Sequence, residues 1–264
     1  MDLGLENRIV LVTGSTQGIG WAAARRFAEE GARVVLNGRT EARVAQAVER
    51  LETELPDADV RGVAGDLGTA DGARQVTDVF PEVDVLVNNA GIFEPKPFLD
   101  IPDEDWLRFF ETNVMSGVRL SRHYFPHMLR KNWGRIVFVS SESAVQIPAE
   151  MIHYGVTKTA QLAVARGLAE LTVGTAVTVN SVLPGPTRSE GVDDFVKGMA
   201  KHTGKSEAEM EHDFFESARP SSLLRRFATP EEVANMIVYV ASAAASATNG
   251  ASVRVDGGVV RSIV

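Results

Sequence analysis

Short runs rich in apolar residues alternate along the chain with longer stretches in which apolar residues recur every three or four positions. The runs are Ile9 to Val12, Val34 to Asn37, Val60 to Ala64, Val83 to Val87, Ile136 to Val139, Val177 to Leu183 and Val253 to Val255. Ile9 to Val12, wholly apolar and β-branched, is what a strand buried on both faces should be, and the other runs are read as further strands of the same kind. Between them, Ile19, Ala23 and Phe27 share one stripe of a helix that reaches about Glu30, with Gly31 to end it. Val44, Val48, Leu51 and Leu55 mark the next helix. A long one is expected from Pro102 to about Lys131, with Phe110, Asn113, Gly117, Leu120, Tyr124 and Met128 on a common stripe. From Val156 to Gly174 the apolar positions are Ala160, Val164, Leu168 and Leu171. Thr229-Pro230-Glu231-Glu232 is a capping box with proline at the first helical position, so a helix restarts there. Strand-helix alternation of this kind predicts one α/β domain over residues 1–264. The rhythm breaks only at about 190–224, where Phe195, Met199, Met210, Phe214 and Phe215 suggest two short helices forming a lid insertion.

Composition narrows the function. Apolar residues make up 44% of the chain and charged ones 23%, ordinary for a globular protein with a sizeable core. A formal net charge of −8 argues against nucleic acid or an anionic membrane surface as partner. With no cysteine, disulfides, thiolate catalysis and zinc-thiolate sites are excluded. The start of the chain is acidic, and Ile9 to Val12 is too short for a signal-peptide core or a membrane span, so a cytoplasmic protein is expected.

Candidate chemistry collects where the predicted strands end. Thr13-Gly14-Ser15-Thr16-Gln17-Gly18-Ile19-Gly20 joins the first strand to the first helix. Glycines there let the backbone approach a pyrophosphate, which the helix N-terminus attracts. After the second strand, the place where a carboxylate would select a free ribose holds Gly38, followed by Arg39. An arginine can pair with a 2′-phosphate, so NADP(H) is favoured and NAD(H) stays open; otherwise Arg39 is a surface residue. Asp66, next to Leu67, can bond an adenine amino group or cap the following helix, a job for which Thr69 is better placed. Asn88-Asn89-Ala90-Gly91 suits a turn that a ligand ring approaches. Asn113 is an amide on an apolar stripe, either a satisfied core bond or part of a proton relay. His123 and His127 are four apart, but Pro126 lies between them and no third ligand follows, so a metal site is not expected. Ser141 lacks a nucleophile-elbow context and does not read as a hydrolase nucleophile.

Tyr154 and Lys158, four apart on a helix, are neighbours on one face. A fixed cation favours the phenolate, which makes Tyr154 a candidate proton shuttle tuned by Lys158. Alone, the pair also fits an amphipathic helix with a snorkelling lysine.

Together these pieces resemble the short-chain dehydrogenase/reductase family, from Arg8 to about Gly258. The matching motifs are Thr-Gly-x-x-x-Gly-Ile-Gly at 13–20, Asp66, Asn-Asn-Ala-Gly at 88–91, Asn113, Ser141, Tyr-x-x-x-Lys at 154–158 and Pro-Gly at 184–185. The resemblance implies a Rossmann-type, doubly wound, seven-stranded parallel sheet with helices on both faces. It implies a nicotinamide cofactor held by Gly14, Ser15, Gln17, Gly18, Ile19, Gly20, Arg39, Asp66, Leu67, Asn89, Ala90, Gly91, Tyr154, Lys158, Pro184, Gly185, Thr187 and Ser189. It also implies a catalytic tetrad. Tyr154 is the acid/base, Ser141 orients the substrate oxygen, Lys158 binds the nicotinamide ribose and lowers the tyrosine pKa, and Asn113 holds a relay water. Where the family usually has threonine, four residues after the Pro-Gly glycine, this chain has Ser189; Thr187 is the alternative.

The expected function is an oxidoreductase interconverting a secondary alcohol and a ketone. Val145, Ile147, Pro148, Met151, His153, Phe195 and Phe214 suggest a mostly apolar pocket, and Glu142 and Glu150 disfavour an anionic substrate. A homotetramer packed partly through the helices carrying Asn113 and Tyr154 is expected. A catalytically silent dinucleotide-binding sensor or scaffold is the alternative.

Overall fold

The structure is a computed structural model of the chain. It describes residues 1–189, Val192 and residues 205–263. Phe195 and Met199 of the expected insertion lie outside the described residues. Among the described residues, seven parallel strands form one sheet in the order β3-β2-β1-β4-β5-β6-β7. The strands are β1 (Ile9–Val12), β2 (Arg33–Gly38), β3 (Val60–Ala64), β4 (Val85–Asn88), β5 (Gly134–Val139), β6 (Val177–Pro184) and β7 (Ser252–Val255). Strand order reverses between β1 and β4, the switch point at which doubly wound sheets open a crevice.

The sheet is buried on both faces. On one, α1 (Gly18–Glu29) and α2 (Glu41–Glu54) pack with α8 (Pro230–Val240) around Phe27, Leu36, Leu51, Val137 and Ile237. On the other, α3 (Ala70–Val79), α5 (Ser116–Lys131) and α6 (Ile152–Glu170) cover Leu11, Leu86, Ile136 and Val179. The capping box at Thr229 forms as expected, with its hydroxyl accepting from Glu232 N and the Glu232 carboxylate accepting from Thr229 N. Between β6 and α8, α7 (Glu207–Ser217) seats Phe215 in a small cluster with Phe214 and Phe227.

Two helices depart from their expected patterns. The long helix is α4 (Asp103–Phe110), a π-helical turn at Glu111–Met115, then α5. The wider turn shifts the helical phase, so Phe109 faces the core and Phe110 is exposed, whereas Asn113, Gly117, Leu120, Tyr124 and Met128 are buried. In α6 the buried face is His153, Gly155, Thr157, Lys158, Gln161, Ala165 and Ala169. The apolar positions Ala160, Val164 and Leu168 are only partly buried, and Leu171, just past the helix, is exposed. This helix turns its chemistry inward.

Candidate active site

Strand ends build the site. Thr13, directly after β1, is buried, and its hydroxyl donates to Val87 O (3.1 Å) while accepting from Asn89 N (2.8 Å) and Ala90 N (2.9 Å). The Asn89 side chain returns the bond, donating to Thr13 O (2.9 Å) and Gly14 O (3.0 Å). Asn37 locks the turn from β2, accepting from Gly14 N and donating to Val63 O. Gly14 and Gly18 have positive φ (58° and 60°), a region that favours glycine. A Cβ on Gly20 would lie 2.5 Å from both Asn89 Nδ2 and Gly14 O, so this position must stay bare.

The first turn of α1 has no capping side chain and no acidic residue. Its leading N–H groups, which no helical carbonyl can reach, are left for an anion. Gln17 is exposed and Ile19 half-buried at this mouth. A dinucleotide pyrophosphate fits this cradle. Ser15 sits otherwise: its hydroxyl donates to Val12 O (2.7 Å) and accepts from Asn37 N (3.0 Å), tying β1 to β2 beneath the turn.

Farther along the same sheet edge, Gly38 has no room for a side chain, since a Cβ would lie 2.6 Å from Thr16 Cγ2. Arg39 is exposed and makes no side-chain bond among the described residues. Asp66 is exposed with its carboxylate accepting from Gly68 N (3.0 Å), while Leu67 is buried in the core. Thr69, not Asp66, caps α3. On the other side, β6 ends at Pro184. A Cβ on Gly185 would lie 2.6 Å from Asp256 O. Thr187 spends its hydroxyl on Gly185 O (2.9 Å), whereas the Ser189 hydroxyl has no partner among the described residues.

The four expected catalytic residues converge. Asn113, fully buried on the π turn, accepts from Ile92 N (2.7 Å) and donates to Ile92 O (3.0 Å) and Thr157 Oγ1 (2.9 Å). Its main-chain carbonyl accepts from Gln161 Nε2 (2.5 Å). Ser141, at the end of β5, accepts from Ser143 N (3.1 Å). Lys158, 5% exposed, donates to Val139 O (2.9 Å) and lies 5.6 Å from the centre of the Tyr154 ring. A Cβ on Gly91 would stand 3.3 Å from Asn113 Oδ1 and 3.6 Å from Lys158 Nζ, so this glycine keeps the floor between them open. Phe93 meets Tyr154 edge-on with centroids 6.4 Å apart.

Burial pushes the Tyr154 phenol up to about 12, with Glu142 adding to the push. A hydrogen bond with Ser141 and the charge of Arg219 pull it back. Burial also brings Lys158 down to about 7. In the protein alone, desolvation therefore outweighs the attraction between phenolate and ammonium on which the sequence reading relied.

The other expected pocket residues have varied surroundings. His153 is 1% exposed, packed against Phe109 (4.1 Å) and Trp106 (6.0 Å), and neither ring nitrogen has a partner among the described residues. Phe214 stacks on Phe227. Val145 and Ile147 are exposed beside the site. His123 bonds Pro81 O and His127 meets Glu82. Sequence reasoning named Thr13 in the glycine motif without a role, and missed Asn37, Thr157 and Gln161, whose signal was a polar residue in or beside a buried segment. It also missed Arg219, which bonds Glu142 across 77 positions and leaves no local signature.

Comparisons with known proteins agree with this architecture. A family model described as enoyl-(acyl carrier protein) reductase matches residues 14–260. The chain is 48% identical, over 100% of both chains, to an uncharacterized oxidoreductase, YvaG, of Bacillus subtilis. It is 32% identical to dehydrogenase/reductase SDR family member 4 of Caenorhabditis elegans, over 96% of this chain and 95% of the other. A crystal structure of L-sorbose reductase from Gluconobacter frateurii, complexed with NADPH and L-sorbose, superposes with a TM-score of 0.93 at 32% identity. Both chains are covered in full.

Proposed function

Because the chain belongs to the short-chain dehydrogenase/reductase family, we propose that it interconverts a ketone and a secondary alcohol with NADP(H), using Tyr154 as acid/base. The observation that carries this reading is the meeting of Ser141, Tyr154, Lys158 and Asn113 at the carboxyl ends of the central strands, beside the glycine turn. The bound dinucleotide would supply or accept the hydride at the carbonyl carbon.

Each residue then has a task. The bare N-terminus of α1 and the Gly14–Gly20 turn hold the pyrophosphate. Arg39 pairs with a 2′-phosphate, and the lack of space at Gly38 keeps a competing carboxylate away. That the L-sorbose reductase neighbour holds NADPH supports the same preference. Ser189, with its uncommitted hydroxyl, contacts the cofactor in preference to Thr187.

In the reducing direction the carbonyl carbon gains a hydride and its oxygen gains the Tyr154 Oη proton, giving an alcohol. Ser141 orients that oxygen. A phenol held near 12 is protonated at neutral pH, which suits a proton donor. Lys158, 5.6 Å from the Tyr154 ring centre, would hold the nicotinamide ribose beside it. Asn113 fixes the Ile92 backbone and Thr157 around them. Exposed apolar groups on α4 and α6, among them Leu107, Phe110 and Val156, would be covered in the expected homotetramer.

The test is consumption of NADPH and NADH with a panel of ketones, comparing the parent with Tyr154→Phe. Removal of the proton donor is expected to lower kcat by about 10²–10⁴-fold, with NADPH giving the lower KM in the parent. Equal turnover in both proteins sinks the assignment.

A further inference from the structure

Beside Ser141 and Tyr154 lies a charge cluster that reduction of a simple ketone does not require. Glu142 follows Ser141 directly, is 3% exposed, and accepts from Arg219 Nε (2.9 Å) and Ser143 Oγ (2.5 Å). Arg219 comes from the turn after α7 and is 8% exposed. Its Nη1 donates to Glu150 Oε1 (3.0 Å) and to Ala218 O (2.8 Å). Ser143 N donates to Ser141 Oγ (3.1 Å) while the Ser143 hydroxyl donates to Glu142, and Ser141 in turn bonds the Tyr154 phenol, so the cluster adjoins the two hydroxyls of the proposed site.

Counting donors shows what remains open. A guanidinium has five N–H groups. Nε serves Glu142, and Nη1 serves Glu150 and Ala218. The two N–H groups of Nη2 have no partner among the described residues. Nor does Glu150 Oε2, on a side chain that is half-exposed. A buried ion pair is weak support for stability, because packed apolar residues often serve as well. A donor fork next to an acceptor carboxylate is, however, what a hydroxyl needs, since a hydroxyl both accepts and donates. An anionic ligand would face two carboxylates against one guanidinium. A plain alkyl ketone would desolvate these groups without pairing them.

We propose that Arg219 and Glu150 are specificity-determining residues of the substrate site, positioned by Glu142, and that the substrate is a neutral ketone carrying further hydroxyl groups. This rests on the hydride-transfer reading above and adds the substrate class.

The experiment measures kcat/KM with saturating NADPH for chain-matched pairs of ketones, adding acetoacetate as an anionic probe. The pairs are erythrulose with 2-butanone, xylulose with 2-pentanone, and fructose or sorbose with 2-hexanone. At least one polyhydroxy ketone is expected to exceed its alkyl match by more than about 50-fold. Glu150→Ala and Arg219→Lys are expected to cut that ratio at least about tenfold, mainly through KM. Should Arg219→Lys fail to fold, the half-exposed Glu150 still provides the test. A preference for alkyl ketones or acetoacetate overturns this inference while leaving hydride transfer intact, as does a ratio that Glu150→Ala leaves unmoved. No cofactor consumption with any probe, or consumption that survives Tyr154→Phe, overturns the hydride-transfer reading and this one with it.

Discussion

Lys158 shows how burial can reverse a residue-level expectation. Spacing alone placed it beside Tyr154, and the structure agrees. What spacing could not convey is the enclosure that brings its pKa from 10.5 down to about 7. An ammonium that loses its proton more readily in the folded chain makes stability pH-dependent. Between about pH 7 and 10.5 the unfolded chain binds the extra proton, so stability rises with pH and is lost as pH falls toward 7. Tyr154, shifted upward, starts to contribute only above about pH 10. Urea unfolding should therefore show Lys158→Met flattening the rise between pH 7 and 9, by up to about 1.4 kcal/mol per pH unit. Parallel pH curves for the two proteins would contradict the enclosure. Ser15 carries a similar lesson: its place in the glycine motif suggested a ligand contact, but its hydroxyl bonds two strands.

Among the elements, those whose pattern is set by the sheet were legible, and those whose pattern is set by chemistry were not. The strand β3 and the Thr229 capping box fall where apolar runs and cap signals predict them. The helix through Asn113 hides a π turn, because a one-residue change of phase is invisible where apolar residues are frequent. That turn also shifts Phe110 outward and Phe109 inward. In α6, polar residues occupy the buried face, so periodicity pointed to the wrong side. The strand-turn-helix unit at Gly14–Gly20 is open to a direct trial. Gly20→Ala forces a methyl against Asn89 Nδ2 and Gly14 O, which the crossing hydrogen bonds hold in place. Dinucleotide affinity, measured by titration calorimetry, should fall at least about tenfold, equivalent to roughly 1.4 kcal/mol. Unchanged affinity would mean the turn can relax around the methyl.

At the scale of the molecule, the two ends of the sheet have different work. The carboxyl ends of the strands hold the site. At the amino ends, Arg135 is buried, donating to Ser242 O (3.1 Å) and Ala176 O (2.8 Å) beside Trp133, with burial bringing it to about 10. Asp84 there accepts from Ile9 N and pairs with Lys131. Arg135→Met leaves the carbonyls of Ser242, Ala176 and Gly134 without that donor and should cost about 2–4 kcal/mol in urea unfolding, with kcat retained at low denaturant. A comparable loss of kcat would show that the two ends are not separate. The order of motifs made the doubly wound topology legible. The Arg219 cluster was not, because the β5–α6 connection, which carries Glu142 and Glu150, meets Arg219 only after the chain has folded across 69 to 77 positions.

Thr13 reaches Val87, Asn89 and Ala90 through a single oxygen atom. The glycine turn proposed to carry the pyrophosphate and the strand end beside the proposed catalytic residues thus share one hinge pin. Under the proposed function, a change at this residue that altered the grip on the cofactor would disturb the substrate's side of the site in the same step.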